Sequence, residues 1–250
     1  MRMQPLVRQL LVAAGSTLLL VVSGVAWYAL SSPPVENLPL AEELVGIASP
    51  EGQRLLASSA SRVDHAQLAP YLVAQERRAF CGPATVAAVV NAALQPKPPV
   101  TQASVFNEAA TSVKSEFALT LAGLTLEELA GFFRAHRLNV RVVHADRSDI
   151  SSFRNAAAGA LAESGTFLVV NYDRRVLKQS GAGHISPVGA FDGTTDRVLI
   201  LDVATQKYPY TWVPLSTLWT AMNTVDPDSR QARGYLLVSA GIQSRDDAPR

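Results

Sequence analysis

The hydrophobic pattern of this 250-residue chain changes period along its length, and that change limits the architectures open to it. Apolar residues recur at helical spacing over about 82–94, 101–111, 125–136 and 150–163, with a short further helix near 215–223. Strand patterns occupy about 140–144, 166–172, 184–191, 197–203 and 234–239. Thr125 and Glu128, in Thr-Leu-Glu-Glu, form a capping box that opens the third helix. Helices that come mainly before the strands, rather than alternating with them, predict an α+β domain in which a helical part packs on an antiparallel sheet.

The single cysteine, Cys81, stands where the alanine-rich helical run begins, in Phe80-Cys81-Gly82-Pro83. Pro83 suits a first helical turn, where its missing N–H would be unpaired in any case. A thiol at that position feels the positive end of the helix dipole and is tilted toward thiolate, the nucleophilic form. Most free cysteines are small buried hydrophobes, so the thiol needs company before it means chemistry. A cysteine nucleophile requires a base and a group that orients the base. Of the four histidines, His65, His136 and His144 have uninformative neighbours. His184 lies on the first strand of a hairpin pattern whose turn signal is Asp192-Gly193 and whose second strand ends in Leu199-Ile200-Leu201-Asp202. A turn centred on Gly193 places His184 opposite Asp202, with Cβ atoms about 4.5–5.5 Å apart. An aspartate that ends an apolar run needs such a partner. Gln75, a short way before the cysteine, could offer an amide donor beside the Cys81 N–H to a tetrahedral oxyanion. One thiol among scattered histidines, with no CxxC or HxxxH grouping, is a poor metal site, and no fixed metal is expected.

Longer stretches resemble the phytochelatin synthases. They are Phe80-Cys81-Gly82 with its helix to Asn91, Gly183-His184-Ile185-Ser186-Pro187, Leu199 to Ala204, Lys207-Tyr208-Pro209, Trp212-Val213, Leu218-Trp219, Ala221 to Asp226, and Arg233-Gly234-Tyr235. The resemblance implies a papain-like cysteine protease fold, with the cysteine on the helical part and the histidine and aspartate on the sheet. Cys81, His184 and Asp202 would then be the catalytic triad and Gln75 the oxyanion residue. Asn171, Gly183, Asp226 and Arg233 would bind substrate. The implied reaction is attack on the Cys-Gly amide of glutathione, loss of glycine, and capture of a γ-glutamylcysteinyl thioester by water or a second glutathione. Plant members carry a further cysteine-rich region, whereas this chain has no cysteine after residue 81 and is similar to shorter bacterial members, which lean toward hydrolysis of glutathione or its S-conjugates. No tightly bound cofactor is implied. Cd²⁺ or Zn²⁺ would arrive as the glutathione thiolate complex, in a role in heavy-metal detoxification, and a homodimer is compatible with the resemblance. The alternative from the residues is a papain-like peptidase of the bacteriocin-processing type, which would need an extended peptide groove. A non-catalytic thiol module that binds soft metal is the remaining reading.

Arg2 and Arg8 precede Leu10–Leu30, which holds no charged residue, and the next charge is Glu36. The run matches the ~20 residues of a membrane span. Gly24-Val25-Ala26 also offers the small residues of a signal-peptidase site. Against cleavage, the run continues through Trp27 and Tyr28, an aromatic pair suited to a membrane interface. Residues 1–30 are therefore expected to be a signal-anchor or signal peptide, 31–50 a linker opened by Pro33 and Pro34, 51–240 the catalytic domain and 241–250 a tail. The positive flank would send the domain to a bacterial periplasm, held at the inner membrane or released after cleavage. Beyond residue 30 acidic and basic residues nearly balance, which gives nucleic acid nothing to bind.

Overall fold

The computed structural model describes residues 5–241, with side chains in the first helix described from Gly15 onward except at positions 18 and 22. Helix α1 (Pro5–Leu30) ends just before Pro33 and Pro34. Strand β1 (Val45–Gly46) leads to α2 (Pro50–Ser58) and α3 (Val63–Leu68), then to α4 (Cys81–Leu94). Helices α5 (Glu108–Val113), α6 (Glu116–Ala122) and α7 (Leu126–Ala135) come next, before β2 (Leu138–His144). The remainder runs α8 (Ile150–Ala162), β3 (Thr166–Asp173), β4 (Gly183–Asp192), β5 (Arg197–Ile200), β6 (Thr211–Pro214), α9 (Leu215–Met222) and β7 (Gly234–Ala240).

Local chemistry sets many of these boundaries. Ser49, Asn107, Ser115, Thr125 and Asp149 each accept a backbone N–H at the start of a helix, and Thr125 with Glu128 completes the expected capping box. The strands form one sheet in the order β1-β6-β5-β4-β3-β7-β2, with every pair antiparallel. Neighbours on β3 alternate between two cores. Val169 joins α4 and α7 through Val86, Val89, Leu129 and Phe133, whereas Val170 joins α8 and α9 through Phe153, Leu161 and Leu218. With both faces covered, Phe167–Tyr172 is buried without interruption, which is why Phe167–Val170 reads as a continuous apolar run.

Three expectations change. The helix expected over 101–111 starts only at Glu108, because Thr101 and Ser104 bond each other's backbone N–H and hydroxyl groups in a turn, and Asn107 caps the shorter helix α5. The segment expected as a linker joins the domain from Glu36 onward: the Glu36 and Leu38 N–H groups donate to the carbonyls of Gln206 and Lys207, Leu44 is buried, and β1 pairs with β6. Finally, the expected hairpin register is displaced, as described with the site below. Counting only described residues, no helix is long and apolar enough to cross a membrane. The side chains at the start of the uncharged run, residues 10–14, and nearly all of the expected tail lie outside the described set.

Candidate active site

Cys81 is the first residue of α4, and Phe80 before it supplies no side-chain cap, so backbone N–H groups of the first turn are left for a ligand. The helix is buried from Cys81 through Asn91, and Thr85 Oγ1 donates to the Ile185 carbonyl of β4 at 3.4 Å. This contact brings the thiol to the strand that carries His184.

His184 and Asp202 do meet, though not as opposed residues. The turn falls at Thr194-Thr195, where the Asp192 carboxylate accepts from both N–H groups and from the Thr195 hydroxyl, so Asp192 faces Arg197 and Ala190 faces Leu199. A bulge between Val188 and Ala190 then shifts the pairing by one, to Val188 with Ile200. Gly189 sits in the bulge, where a Cβ would come within 2.8 Å of the Leu201 side chain. Strand β5 ends at Ile200, not at residue 203. Asp202 lies in the turn beyond it and reaches His184 along the strand rather than directly across: Nε2 donates to Asp202 Oδ1 at 2.9 Å.

That bond fixes the tautomer and leaves Nδ1 for the thiol, which interacts electrostatically with the ring. Burial pushes the Cys81 thiol up, but the His184 bond and charge, the Ile185 N–H and the Arg174 cation outweigh it, and the net shift is downward. His184 is moved the other way. Burial and Arg174 pull it down, and the Asp202 carboxylate and the thiol more than restore it, so the imidazolium is favoured. Opposite shifts on two touching groups describe a thiolate–imidazolium pair.

Arg174, which the sequence did not single out, supports the carboxylate. It is buried in a 3₁₀ turn after β3, and its Nη2 donates to Asp202 Oδ1 at 2.8 Å and Oδ2 at 2.7 Å. Nη1 donates to Gln179 Oε1 at 2.7 Å, and the guanidinium lies 5.3 Å from the Tyr208 ring centroid. The Ala204 N–H also donates to Asp202 at 2.8 Å. Burial pushes the Asp202 carboxyl up, but the His184 and Arg174 charges outweigh it and hold the group well below the usual carboxylate range. Tyr172 packs edge-on to the imidazole with ring centroids 5.7 Å apart and limits its rotation.

Gln75 departs from its expected part. Its Nε2 donates to the carbonyls of Arg77 and Arg78 at 2.9 and 2.8 Å, which uses both amide hydrogens, and its Oε1 is buried without a partner. Gln75 therefore holds the loop that delivers Cys81, and the oxyanion donor left free here is the backbone N–H of α4.

Beside the thiol lies a cleft of about 370 Å³ lined by Cys81, Asn171, Gly183, Ile185, Asp226 and Arg233, with Leu121–Leu124 as its apolar wall. Arg233 is buried, and its Nη1 is occupied by Thr224 Oγ1 and the Val225 carbonyl. Its Nε has no partner, and Nη2 stands 3.9 Å from Asp226 Oδ1, too far for a hydrogen bond. Gly183 makes room for this group: a Cβ there would meet Arg233 Nη2 at 2.9 Å. Buried donors and a buried carboxylate, each with capacity to spare, can receive opposite ends of an amino-acid group. Among the described residues, no cluster of three or more His, Cys, Asp or Glu side chains could hold a metal ion.

An antiparallel sheet that presents a buried histidine–aspartate pair to a cysteine at a helix N-terminus defines a protein of the nucleophilic-cysteine class. Within that class, the chain belongs to the phytochelatin synthase family, whose model matches residues 35–235. It is 33% identical to glutathione gamma-glutamylcysteinyltransferase 3 of Lotus japonicus over 78% of this chain, and 35% identical to glutathione gamma-glutamylcysteinyltransferase 1 of Triticum aestivum over 78%. The enzyme of that name from Schizosaccharomyces pombe is 30% identical over 68%. The chain spans about two fifths of the length of these relatives, 42%, 40% and 42% respectively. Among solved structures, the peptidase domain of Streptococcus ComA is similar with a TM-score of 0.44 and 16% identity, covering 68% of this chain and 98% of that one. Xylellain, a cysteine protease from Xylella fastidiosa, is similar with a TM-score of 0.41 and 11% identity, over 85% and 97%.

Proposed function

We propose that this protein transfers the γ-glutamylcysteinyl group of glutathione through a thioester on Cys81. The observation that carries the reading is one cleft lined by both the Cys81 thiol and the under-used Asp226 and Arg233. Asp226 takes the α-ammonium and Arg233 the α-carboxylate of the γ-glutamyl end, with Asn171 and Gly183 along the acyl chain. The thiolate attacks the carbonyl carbon of the Cys-Gly amide, and the developing oxyanion turns to the free N–H of α4. The His184 imidazolium gives its proton to the amide nitrogen, the C–N bond breaks, glycine leaves, and the acyl group stays on sulfur. Neutral His184 then takes a proton from water or from the amino group of a second glutathione as that oxygen or nitrogen attacks the thioester carbon; the C–S bond breaks, the Cys81 thiolate leaves beside the imidazolium, and the product is γ-glutamylcysteine or the longer peptide. Asp202, pinned by Arg174, holds the ring in place for both transfers.

An extended peptide substrate would not need a charged clamp in the cleft, and this favours glutathione over the peptidase alternative. Cd²⁺ or Zn²⁺ takes part as the thiolate complex of the substrate. The uncharged run that ends in α1 supports a domain held at the inner membrane on its periplasmic side.

Mass spectrometry of the full chain incubated with glutathione, without and with Cd²⁺, tests the reading. Glycine release together with a γ-glutamylcysteinyl adduct on Cys81 is expected. Longer (γ-Glu-Cys)n-Gly products decide for transfer, and γ-glutamylcysteine alone decides for hydrolysis. Absence of both adduct and turnover rejects the assignment.

A further inference from the structure

Among the described residues, several of the most exposed apolar side chains lie on α1 and α6. Leu20, Val21, Val25 and Trp27 of α1 are 74%, 58%, 56% and 73% exposed, and on α6 Phe117 and Leu121 are 75% and 61% exposed. Phe117 and Leu121 are four residues apart and share one helix face, which meets Val21, Val25, Ala26 and Ala29 along a groove. A short helix normally buries such a stripe, and the domain already covers α6 from the other side through Leu119. Two arginines border this face. Arg77 lies on the groove, and Arg78 stacks on the Tyr28 ring at 4.0 Å and donates from Nε to the Tyr28 carbonyl at 3.3 Å. Among the described residues, Arg77 has a single carboxylate, Glu116, and Arg78 has none.

We infer that α6 and the last turns of α1 form one membrane-docking face, with Phe117 and Leu121 entering the acyl boundary of an anionic bilayer. The inference rests on the membrane attachment proposed above and extends it from the helix to the domain. If the uncharged run spans the hydrocarbon, Val21 lies nine residues before its end at Leu30, about 14 Å along the helix. Whatever packs on Val21 and Val25 must then sit at or below the interface, and α6 does. Trp27 and Tyr28 occupy the level where amphipathic rings settle, and Arg77 and Arg78 the level of phosphate headgroups. Leu121 belongs both to this face and to the wall of the active-site cleft, and Arg78 also lines that cleft, so the site opens along the membrane surface.

The test uses the full chain in a Cys81→Ser background, with a single cysteine at position 25, 117, 121 or 163, labelled with an environment-sensitive fluorophore. The protein is reconstituted in phosphatidylcholine–phosphatidylglycerol vesicles that contain nitroxide lipids. Quenching at 117 and 121 comparable with that at 25, and none at exposed position 163 beyond α8 on the opposite face of the sheet, is the expected result. Quenching at 25 alone overturns the docking face and leaves the anchor intact. No quenching at any position overturns both. Shielding of 117 and 121 that depends on protein concentration rather than lipid identifies a second copy as the occupant and also overturns the inference.

Discussion

Arg174 grips Asp202 by both oxygens from a single nitrogen, at 2.8 and 2.7 Å. Both residues are buried, at 3% and 2% exposure, so the pair is cut off from screening by water. Removing Arg174 leaves the buried Asp202 carboxylate with His184 and the Ala204 N–H alone, and breaking such a buried pair costs up to roughly 3–5 kcal/mol. Arg174→Gln is expected to lower thermal stability by that order. Because the Arg174 cation also lowers the thiol pKa, the acid limb of the kcat/KM profile should move to higher pH. A profile that stays in place while stability falls would reduce Arg174 to a structural role.

Cys81→Ser should abolish turnover and leave circular dichroism and Tm nearly unchanged, since the two side chains are close in size. More than about a thousandth of wild-type kcat would remove Cys81 as nucleophile.

Asp226→Ala leaves the substrate ammonium without its carboxylate. A charged hydrogen bond contributes roughly 1.5–3 kcal/mol, so the KM for glutathione should rise about 10- to 100-fold, with a smaller change in kcat. An unchanged KM would take Asp226 out of the site.

The pH dependence comes from opposed shifts. Cys81 titrates below the usual thiol range and His184 above the usual imidazole range. Activity should rise as pH climbs through the lowered thiol pKa and fall as it passes the raised histidine pKa, giving a bell whose plateau is the ion-pair state. A single ascending limb near the ordinary thiol pKa would contradict that pair.

Asp64 on α3 is wholly buried, and neither of its oxygens has a hydrogen-bond partner. Burial, offset in part by the nearby Leu168 N–H, pushes its pKa up to about 8. The folded protein therefore keeps a proton that the unfolded chain releases near pH ~3.9. Stability should fall as pH rises from about 4 to about 8, by on the order of 5 kcal/mol, and level off above. Asp64→Asn should flatten that slope in denaturant titrations across the range. An unchanged slope would show that Asp64 ionises in the fold.

The features legible in the sequence were those with local causes. The α4 start at Cys81, the capping box at Thr125 and Glu128, and the long apolar strands each depend on a few adjacent residues. Arg174 was illegible because it sits in an irregular turn with no motif, and only the return of the chain at Asp202 gives it a partner. The hairpin register failed for two reasons. Asp192 organises a turn centred beyond Gly193, and the bulge at Gly189 answers to the Leu201 side chain, which pattern alone does not place. Helix α6 and strands β1 and β6 are too short to establish a period, and β1 exists only through its pairing with β6. Gln75 lies on the loop that leads into Cys81, but which carbonyls would take its amide hydrogens was not readable from its spacing.

The thiol and its base are contributed by separate layers, α4 from the helical side and the His184–Asp202 pair from the sheet. A chain in which only the helical layer has formed keeps the dipole of α4 but lacks the influences of His184, Ile185 and Arg174, which reach the thiol across the layer boundary. The full lowering of the thiol pKa thus awaits the docking of helix and sheet. A partly folded molecule, wherever it is made, is thereby spared the disulfide exchange and stray acylation that an always-activated lone cysteine would invite.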